Sequence, residues 1–316
     1  MALEADTKLP RVIPQEIVDR ILDEVAAFKS SATLGACALV SKSFYFPCRR
    51  RLYSDVFLVV DKWRDARARG LIRTLETLRK RGCTTHVRSL TLMLDVSSRP
   101  TFGSRFLASQ KSQKFNLVRA RLLETSLEKL LKLLLMAGQL TSFALDARGG
   151  VIDWELHLRG EIRMEIFHSL FTHPSLKSME ISHVSGLDNS LVAEALRSNF
   201  LEELTFINVS IPLPYQYNTH PAVQLTNSHL RKLDIRRTSI REFLRIMGYA
   251  GLPMSTPHRF VTFTQLRSLV IVGRLWDLDL WGFILGLART LETLEIEELY
   301  WQGEAYSTIH FPVYES

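Results

Sequence analysis

Nine histidines and three cysteines are the side chains of this chain best suited to catalysis or metal binding, and their spacing assembles neither. No His-Glu-x-x-His pair stacks two imidazoles one helical turn apart, and no Cys/His set has zinc spacing. His168 and His173 stand five apart, which turns them toward different sides of a helix. Gly149-Gly150 is an isolated pair without the rest of a phosphate-cradling loop, and no Gly-x-Ser-x-Gly elbow occurs. The expectation is therefore a protein that is not an enzyme and needs no cofactor or metal. Cys37, Cys48 and Cys83 lie far apart with no Cys-x-x-Cys spacing, as expected of reduced thiols serving as small buried groups. That points to an intracellular protein, cytoplasmic or nuclear.

The spacing that does carry information is apolar, and the chemistry it implies is association. Pro14 suits the first turn of a helix, where a missing N–H costs nothing. Ile17, Ile21 and Val25 follow at i, i+4 and i+8 with Val18 and Leu22 beside them, while Asp19, Arg20, Asp23 and Glu24 fill much of the other side. Lys29-Ser30-Ser31 interrupts the pattern, and Thr33 is positioned to cap a second helix carrying Leu34, Cys37, Ala38, Phe44 and Tyr45. Pro47 is expected to open a third, basic turn through Arg49, Arg50 and Arg51. A unit of some 45 residues with this many apolar side chains is marginal by itself and calls for a neighbour.

These residues resemble the F-box family. Its pattern (roughly Leu-Pro-x-Glu-apolar, then Ile-Leu, then Leu-Val-Ser-Arg/Lys-x-Trp) is met by Ile13-Pro14-Gln15-Glu16-Ile17, Ile21-Leu22 and Leu39-Val40-Ser41-Lys42-Ser43-Phe44. Ile13 replaces the usual Leu and Phe44 the usual Trp. The continuation into Arg50-Arg51-Leu52-Tyr53 looks like the F-box proteins abundant in mushroom-forming fungi. The resemblance implies docking onto the SKP1 subunit of a cullin-RING ubiquitin ligase. Pro14, Ile17, Ile21, Leu22, Leu34, Leu39 and Val40 are then the candidates for contact with SKP1 or for the unit's own small core.

From residue 87 a second pattern recurs: apolar, two polar, apolar, any, apolar. It occurs at Val87-x-x-Leu90-x-Leu92, Leu140-x-x-Phe143-x-Leu145, Leu176-x-x-Met179-x-Ile181 and Leu201-x-x-Leu204-x-Phe206. It continues at Leu230-x-x-Leu233-x-Ile235, Leu266-x-x-Leu269-x-Ile271 and Leu291-x-x-Leu294-x-Ile296. All 14 spacer residues between the first two apolar positions are polar. The pattern resembles leucine-rich repeats, in which a short strand lines the inside of a coil and a helix or loop returns outside. The position that usually holds Asn or Cys carries Asp95, Arg148, Val184, Val209, Thr238, Arg274 and Leu299, so the coil is expected to be irregular. Amphipathic stretches between the strands suit outer helices. One of them, Leu123–Leu134, also reads as a helix lying on a membrane surface.

The expected fold class is thus α/β: a small N-terminal three-helix F-box followed by an irregular leucine-rich-repeat solenoid, parallel strands inside and helices outside. The expected division is a flexible N-terminus over 1–8, the F-box over 9–53 and a joining strand and helix over 54–86. Repeats follow over 87–300, with loops near 97–114 and 211–226, and a tail over 301–316. The aromatic-rich tail is suited to capping the edge of the last repeat. Alternation in the strands turns the residues between and after the apolar pairs away from the core. Asp234, Arg236, Val270, Val272, Glu295 and Glu297 are the candidate target-binding residues of that outward set, the two valines either as an exposed apolar pair or covered by a helix or the C-terminal tail.

Composition, 46% apolar and 23% charged, belongs to a globular protein, and no run reaches the roughly 18–20 apolar residues of a membrane span. Residues 61–133 carry 17 Lys or Arg against 6 Asp or Glu, a net of +11, whereas 134–316 come to −5. The basic block is a solvated face or a surface that steers an acidic partner; it lacks the interleaved aromatics of a single-strand nucleic-acid groove. No membrane or nucleic-acid partner is expected. The expected function is a substrate-recognition adaptor of an SCF-type E3 ubiquitin ligase, the repeats holding an unknown protein target. The alternative is a repeat scaffold for protein interaction that acts outside ubiquitination.

Overall fold

The computed structural model describes residues 13–27, 31–60, 65–80, 82–96, 125–158, 162–212, 226–247, 261–273, 278–287, 289–298 and 308–312. The chain divides into two compact units, Met1–Asp55 and Val56–Ser316. The expected terminal segment 1–8 and the loop over 97–114 lie outside the described residues, as does most of the loop over 211–226.

The first unit is three helices: α1 (Gln15–Ala27), α2 (Ser31–Val40) and α3 (Lys42–Leu52). Its core is small. Val18 and Leu22 of α1 meet Leu34 of α2 and Cys48 of α3, with Val25, Ala26, Cys37, Ala38, Phe44 and Leu52 packed around them. The break between α2 and α3 falls at Ser41 rather than at Pro47, which sits inside α3. Ser41 is extended (φ −159°) and its carbonyl accepts the N–H groups of Phe44 and Tyr45, so the chain restarts a helix there. Thr33 correspondingly lies within the first turn of α2 instead of capping it. Arg51 ties the third helix to the first. Its guanidinium donates to Asp23 Oδ1 at 2.6 and 2.9 Å, to Asp19 Oδ1 at 3.5 Å and to the Asp19 carbonyl at 3.1 Å. Burial, followed by the nearby Cys37 thiol, pushes the Cys48 thiol above its ordinary range, while Arg51 pulls weakly the other way.

The second unit is α/β. In chain order it runs β1 (Asp55–Val60), α4 (Asp65–Lys80), a 3₁₀ turn (Cys83–His86), β2 (Ser89–Asp95), α5 (125–137), β3 (Ser142–Arg148) and β4 (Ile152–Asp153). Then come α6 (Trp154–His157), a π-helical turn (Ile162–Phe167) leading into α7 (His168–Phe171), β5 (Ser178–Ser185), α8 (Asn189–Arg197) and β6 (Glu203–Ser210). The rest is β7 (Thr226–Ser228), β8 (Lys232–Arg236), α9 (Ile240–Ile246), β9 (Val261–Phe263), β10 (Ser268–Gly273), α10 (Leu278–Leu287), β11 (Thr293–Glu298) and β12 (Thr308–Pro312).

One sheet holds ten of these strands in the order β1-β2-β3-β5-β6-β8-β10-β11-β12, with β4 beside β5. The pairings along the sheet from β2 to β11 are parallel, and β12 adds antiparallel at the end. The tail thus supplies the hydrogen-bonding partner of the last parallel strand. β7 and β9 form a separate parallel pair.

Every apolar position of the seven recurring windows is buried, from Val87, Leu90 and Leu92 to Leu291, Leu294 and Ile296. Helices cover that face with their own stripes. In α5 the stripe is Leu127, Leu130, Leu131 and Leu134, in α8 Leu191, Val192, Ala195 and Leu196, and in α10 Leu280, Phe283, Ile284 and Leu287. The described part of the stripe that also reads as a membrane-surface helix is therefore core. Edge-to-face ring pairs pin helix to sheet: Phe243 of α9 meets Phe206 of β6 at 5.6 Å, and Phe167 meets Phe143 of β3 at 5.8 Å. Local chemistry fixes the element ends. Asp188 accepts the Ser190 N–H at 2.8 Å to start α8, and Gly138 takes a left-handed φ of 66° to end α5, donating to the Leu135 carbonyl.

The polar spacers have a structural reason as well. At each of six junctions one carbonyl, of Arg88, Thr141, Lys177, Glu202, Arg231 or Arg267, accepts two N–H groups from the next strand's spacer residues at 2.7–3.0 Å. The spacer backbones stitch neighbouring strands together while their side chains stay at least partly in water. Opposite charges line up along that row: Glu202 bridges Lys177 at 3.1 Å and Arg231 at 3.4 Å, and Arg267 meets Glu292 at 3.2 Å.

Candidate docking and recognition surfaces

Two surfaces hold the candidate residues, one in each unit. In the three-helix unit the single apolar stripe expected on α1 is divided between two sides. Val18, Leu22 and Val25 turn inward; Ile17 and Ile21, one turn apart, are 49% and 44% exposed, with Ile13 in line ahead of them. Pro14 is exposed too. At the α2–α3 break, Leu39 is 87% and Val40 72% exposed, and Tyr45 and Phe46 stand out together as an edge-to-face pair at 5.3 Å.

Five of the seven candidate contact residues, Pro14, Ile17, Ile21, Leu39 and Val40, are therefore available to a partner. Leu22 and Leu34 are not: both belong to the internal core, because a three-helix unit must bury something of its own before it can present a face. Ile13, Tyr45 and Phe46 join the exposed set. Ile13 lies just ahead of α1, and Tyr45 and Phe46 fall on the helix that restarts after Ser41. Among the described residues, seven of the eleven large apolar side chains that are conspicuously exposed lie between Ile13 and Phe46. Scattered exposed apolar residues are ordinary; this concentration is not.

In the sheet unit the six candidate target-binding residues form a grid. Asp234, Val270 and Glu295 are register neighbours across β8, β10 and β11, and Arg236, Val272 and Glu297 form the next row. Their availability differs from the expectation. Val270 and Val272 are each only 7% exposed, so they are not an exposed apolar pair. They belong to the continuous run Leu269-Val270-Ile271-Val272, and a strand reading that way is buried on both faces rather than alternating. Asp234 is buried as well, with both carboxylate oxygens taken by Arg236 at 2.8 and 3.0 Å. The hydrogen bonds that the Arg236 guanidinium donates to Asp234 hold it above its ordinary pKa, with smaller contributions from Glu295 and Glu297 across the valines. Arg236, Glu295 and Glu297 remain partly exposed.

Two further features of this face were not anticipated. His183, Asn208 and Arg237 occupy equivalent places at the ends of β5, β6 and β8, and all three have positive φ, between 52° and 56°. Each lets the strand end bulge, so that two consecutive residues avoid the core before Val184, Val209 and Thr238 return to it. Thr238 also stands at a ladder position where the sequence lacks Asn. Its hydroxyl accepts the Val209 N–H at 3.1 Å and donates to the Arg236 carbonyl at 3.1 Å, bridging adjacent strands in place of an amide.

A shallow cleft of about 130 Å³ near Glu76, Arg79, Ser126 and Lys129 is well below the volume of an ordinary small-molecule site, roughly 300–1,000 Å³. Among the described residues no group of three His, Cys, Asp or Glu gathers to hold a metal, and no helix is long and apolar enough to cross a membrane.

Compared with protein-family models, curated proteins and solved structures, the chain matches none.

Proposed function

We propose that this chain is a substrate-recognition adaptor of an SCF-type E3 ubiquitin ligase. The three-helix unit docks SKP1, and through it a cullin, while the sheet unit holds a protein target. The observation that carries the reading is the crowding of exposed apolar side chains onto the helical unit, at the residues that resemble an F-box. Ile17, Ile21, Leu39 and Val40 sit in water around a core of four fully buried side chains, an arrangement that gains from being covered. Each such side chain contributes about 1.5–3 kcal/mol on full burial, against an association cost of about 4–15 kcal/mol. The half-exposed isoleucines contribute less than that, so docking needs several of these side chains at once.

The sheet unit supports the repeat half of the reading. Its parallel strands follow one another in sequence order with no reversal, so the sheet has no switch-point crevice of the kind that binds nucleotides in doubly wound folds. Repetition of one strand-start geometry across six junctions is how a leucine-rich-repeat solenoid grows, and it makes an extended face rather than a pocket. On this reading the contribution to catalysis is proximity: the adaptor raises the local concentration of target lysines near the charged ubiquitin carrier.

The test is co-purification of SKP1 and cullin with the intact chain and with Ile17→Asp. The substitution places a carboxylate in the first turn of α1, where the helix tolerates it, and in the centre of the proposed interface. SKP1 affinity is expected to fall by about thirty-fold or more, equivalent to about 2 kcal/mol. Equal recovery of SKP1 with both chains would reject the reading. SKP1 retained without cullin would favour the scaffold alternative.

A further inference from the structure

Helix α1 carries three lines of side chains in a fixed angular order. Successive residues turn by about 100°, so Ile17 and Ile21 form one line and Val18 and Leu22 the next. Asp19 and Asp23 form a third, about 200° from the isoleucines. The middle line is the one buried in the core. Isoleucines and aspartates therefore flank the core on opposite sides. A roll of α1 that draws the aspartates outward turns the isoleucines toward the core.

Apolar packing favours that roll rather than resisting it. Ile17 and Ile21 are 49% and 44% exposed, and each gains by leaving water. Only Val18 and Leu22 of α1 are fully buried on the other side of the balance. Arg51 supplies the resistance. Besides the carboxylates of Asp19 and Asp23, its guanidinium donates to two main-chain carbonyls, of Asp19 in α1 at 3.1 Å and of Pro47 in α3 at 3.3 Å. Those two bonds join backbone to backbone, so they hold the helix itself and not merely the tip of a side chain. The Arg51 side chain is 19% exposed, which shelters this end of the clamp from water.

We infer that Arg51 is a positioning residue for docking: by clamping the aspartate side of α1 it keeps Ile17 and Ile21 turned outward, where a partner meets them. The inference rests on the proposal that these isoleucines dock SKP1, and it gives Arg51 a role in affinity without contact with the partner. The clamp acts before the partner arrives. Without it only a fraction of free chains carries α1 in the docking orientation, and apparent affinity falls by that fraction. Association slows by the same factor. The complex, once formed, holds α1 by its isoleucines and dissociates at the parent rate. Loss of a direct contact acts the other way, through faster dissociation.

The experiment is SKP1 binding kinetics by biolayer interferometry at physiological salt. It compares the intact chain with Arg51→Ala, Asp19→Ala/Asp23→Ala, all three substitutions together, and Val25→Ala. The aspartate pair cuts the clamp from the α1 side and leaves α3 untouched, while Val25→Ala removes packing from the same helix and leaves the clamp whole. Hydrogen exchange of the α1 amides shows whether the helix persists in each chain. Arg51→Ala is expected to associate at least five-fold more slowly, with dissociation changed less than two-fold. The aspartate pair should slow association at least three-fold, and the triple variant should stay within two-fold of Arg51→Ala, because the clamp breaks only once. Long-range steering would instead move Arg51→Ala and the aspartate pair in opposite directions, since they change the charge with opposite sign. Val25→Ala should associate within two-fold of the parent. A loss carried by dissociation, an aspartate pair without effect, losses that multiply, or an equal loss in Val25→Ala would each overturn the inference. So would loss of α1 protection in both clamp variants, which would make the clamp a holder of the fold and not of the orientation. A parent chain that does not bind SKP1 removes the adaptor reading and the inference with it. A parent that binds SKP1 while the clamp variants associate equally fast removes the inference alone.

Discussion

The helical unit and the sheet unit use similar side chains to opposite ends. In the sheet unit the recurring Leu, Ile, Phe and Met residues are all withdrawn from water, covered by stripes from α5, α8, α9 and α10. In the helical unit Ile17, Ile21, Leu39 and Val40 are left in solvent while Val18, Leu22, Leu34 and Cys48 alone are fully buried. Apolar content therefore says little about which part of a chain is complete. What separates the units is whether a covering layer comes from the same stretch of sequence. Where the return segments are described, as in α5, α8, α9 and α10, they bring their own apolar faces to the sheet; α3 brings α1 and α2 Phe44, Cys48 and Leu52 and ends in a basic turn.

The comparison is tested most severely at the sheet's ring packing. Phe206 is fully buried against Phe243, and Phe206→Ala leaves a cavity between β6 and α9. Unfolding in urea should show the sheet unit losing about 3–5 kcal/mol, and a loss under 1 kcal/mol would mean that the helix layer is loosely held. In the helical unit a polar contact ties α3 to α1. Arg51→Ala removes the links from α3 to Asp19 and Asp23, but Asp23 is mostly solvent-exposed, so the expected loss is only about 1–2 kcal/mol. Thermal unfolding of the Arg51→Lys variant should recover little of it, because a point charge cannot span both carboxylates.

The periodic parts of this architecture were legible because burial itself is periodic. An apolar-polar-polar-apolar-x-apolar window places three side chains in the core, and all seven windows became strands of one sheet. Contacts made at long range were not legible. The Arg51 clamp joins residues 28 and 32 positions apart, and no local pattern distinguishes Asp19 and Asp23 from other solvated acids. Strand alternation turns Val270 and Val272 outward, but a run of four apolar residues signals burial on both faces, and both valines are buried. For Leu22 and Leu34 the sequence leaves open a partner surface or the unit's own core, because a helical wheel shows that a face is apolar without showing which part the unit keeps for itself. Proline is the stronger punctuation mark in the sequence, yet an extended serine at Ser41 whose carbonyl starts the next helix interrupts the chain as effectively.

The ladder position gives a smaller test of how regular the sheet unit is. Thr238→Val keeps the shape but removes the acceptor for the Val209 N–H and the donor to the Arg236 carbonyl. Both groups are near the buried end of the strands, so about 1–2 kcal/mol should be lost, read as a lower urea midpoint at unchanged slope. Thr238→Asn asks the complementary question. If the wider amide bridges the same two strands, stability is retained; if it is lost, the bulges at His183, Asn208 and Arg237 leave room between the strand ends for a hydroxyl and not for an amide.

The smallest expected effect on stability discriminates best between the two units. Ile17→Asp removes an apolar group that already contacts water over about half its surface, and it adds an acid near the N-terminal end of α1 where the helix dipole favours one. The unfolding midpoint of the isolated chain should move by no more than about 0.5 kcal/mol in either direction. An equivalent substitution at Leu22, five residues further on and turned inward, should unfold the helical unit outright, because it buries a charge in a core of four side chains. If Ile17→Asp proved as damaging as Leu22→Asp without any partner present, the exposed isoleucines would be part of the unit's own packing. The contrast between a self-sufficient sheet and an incomplete helical surface would then have no physical basis.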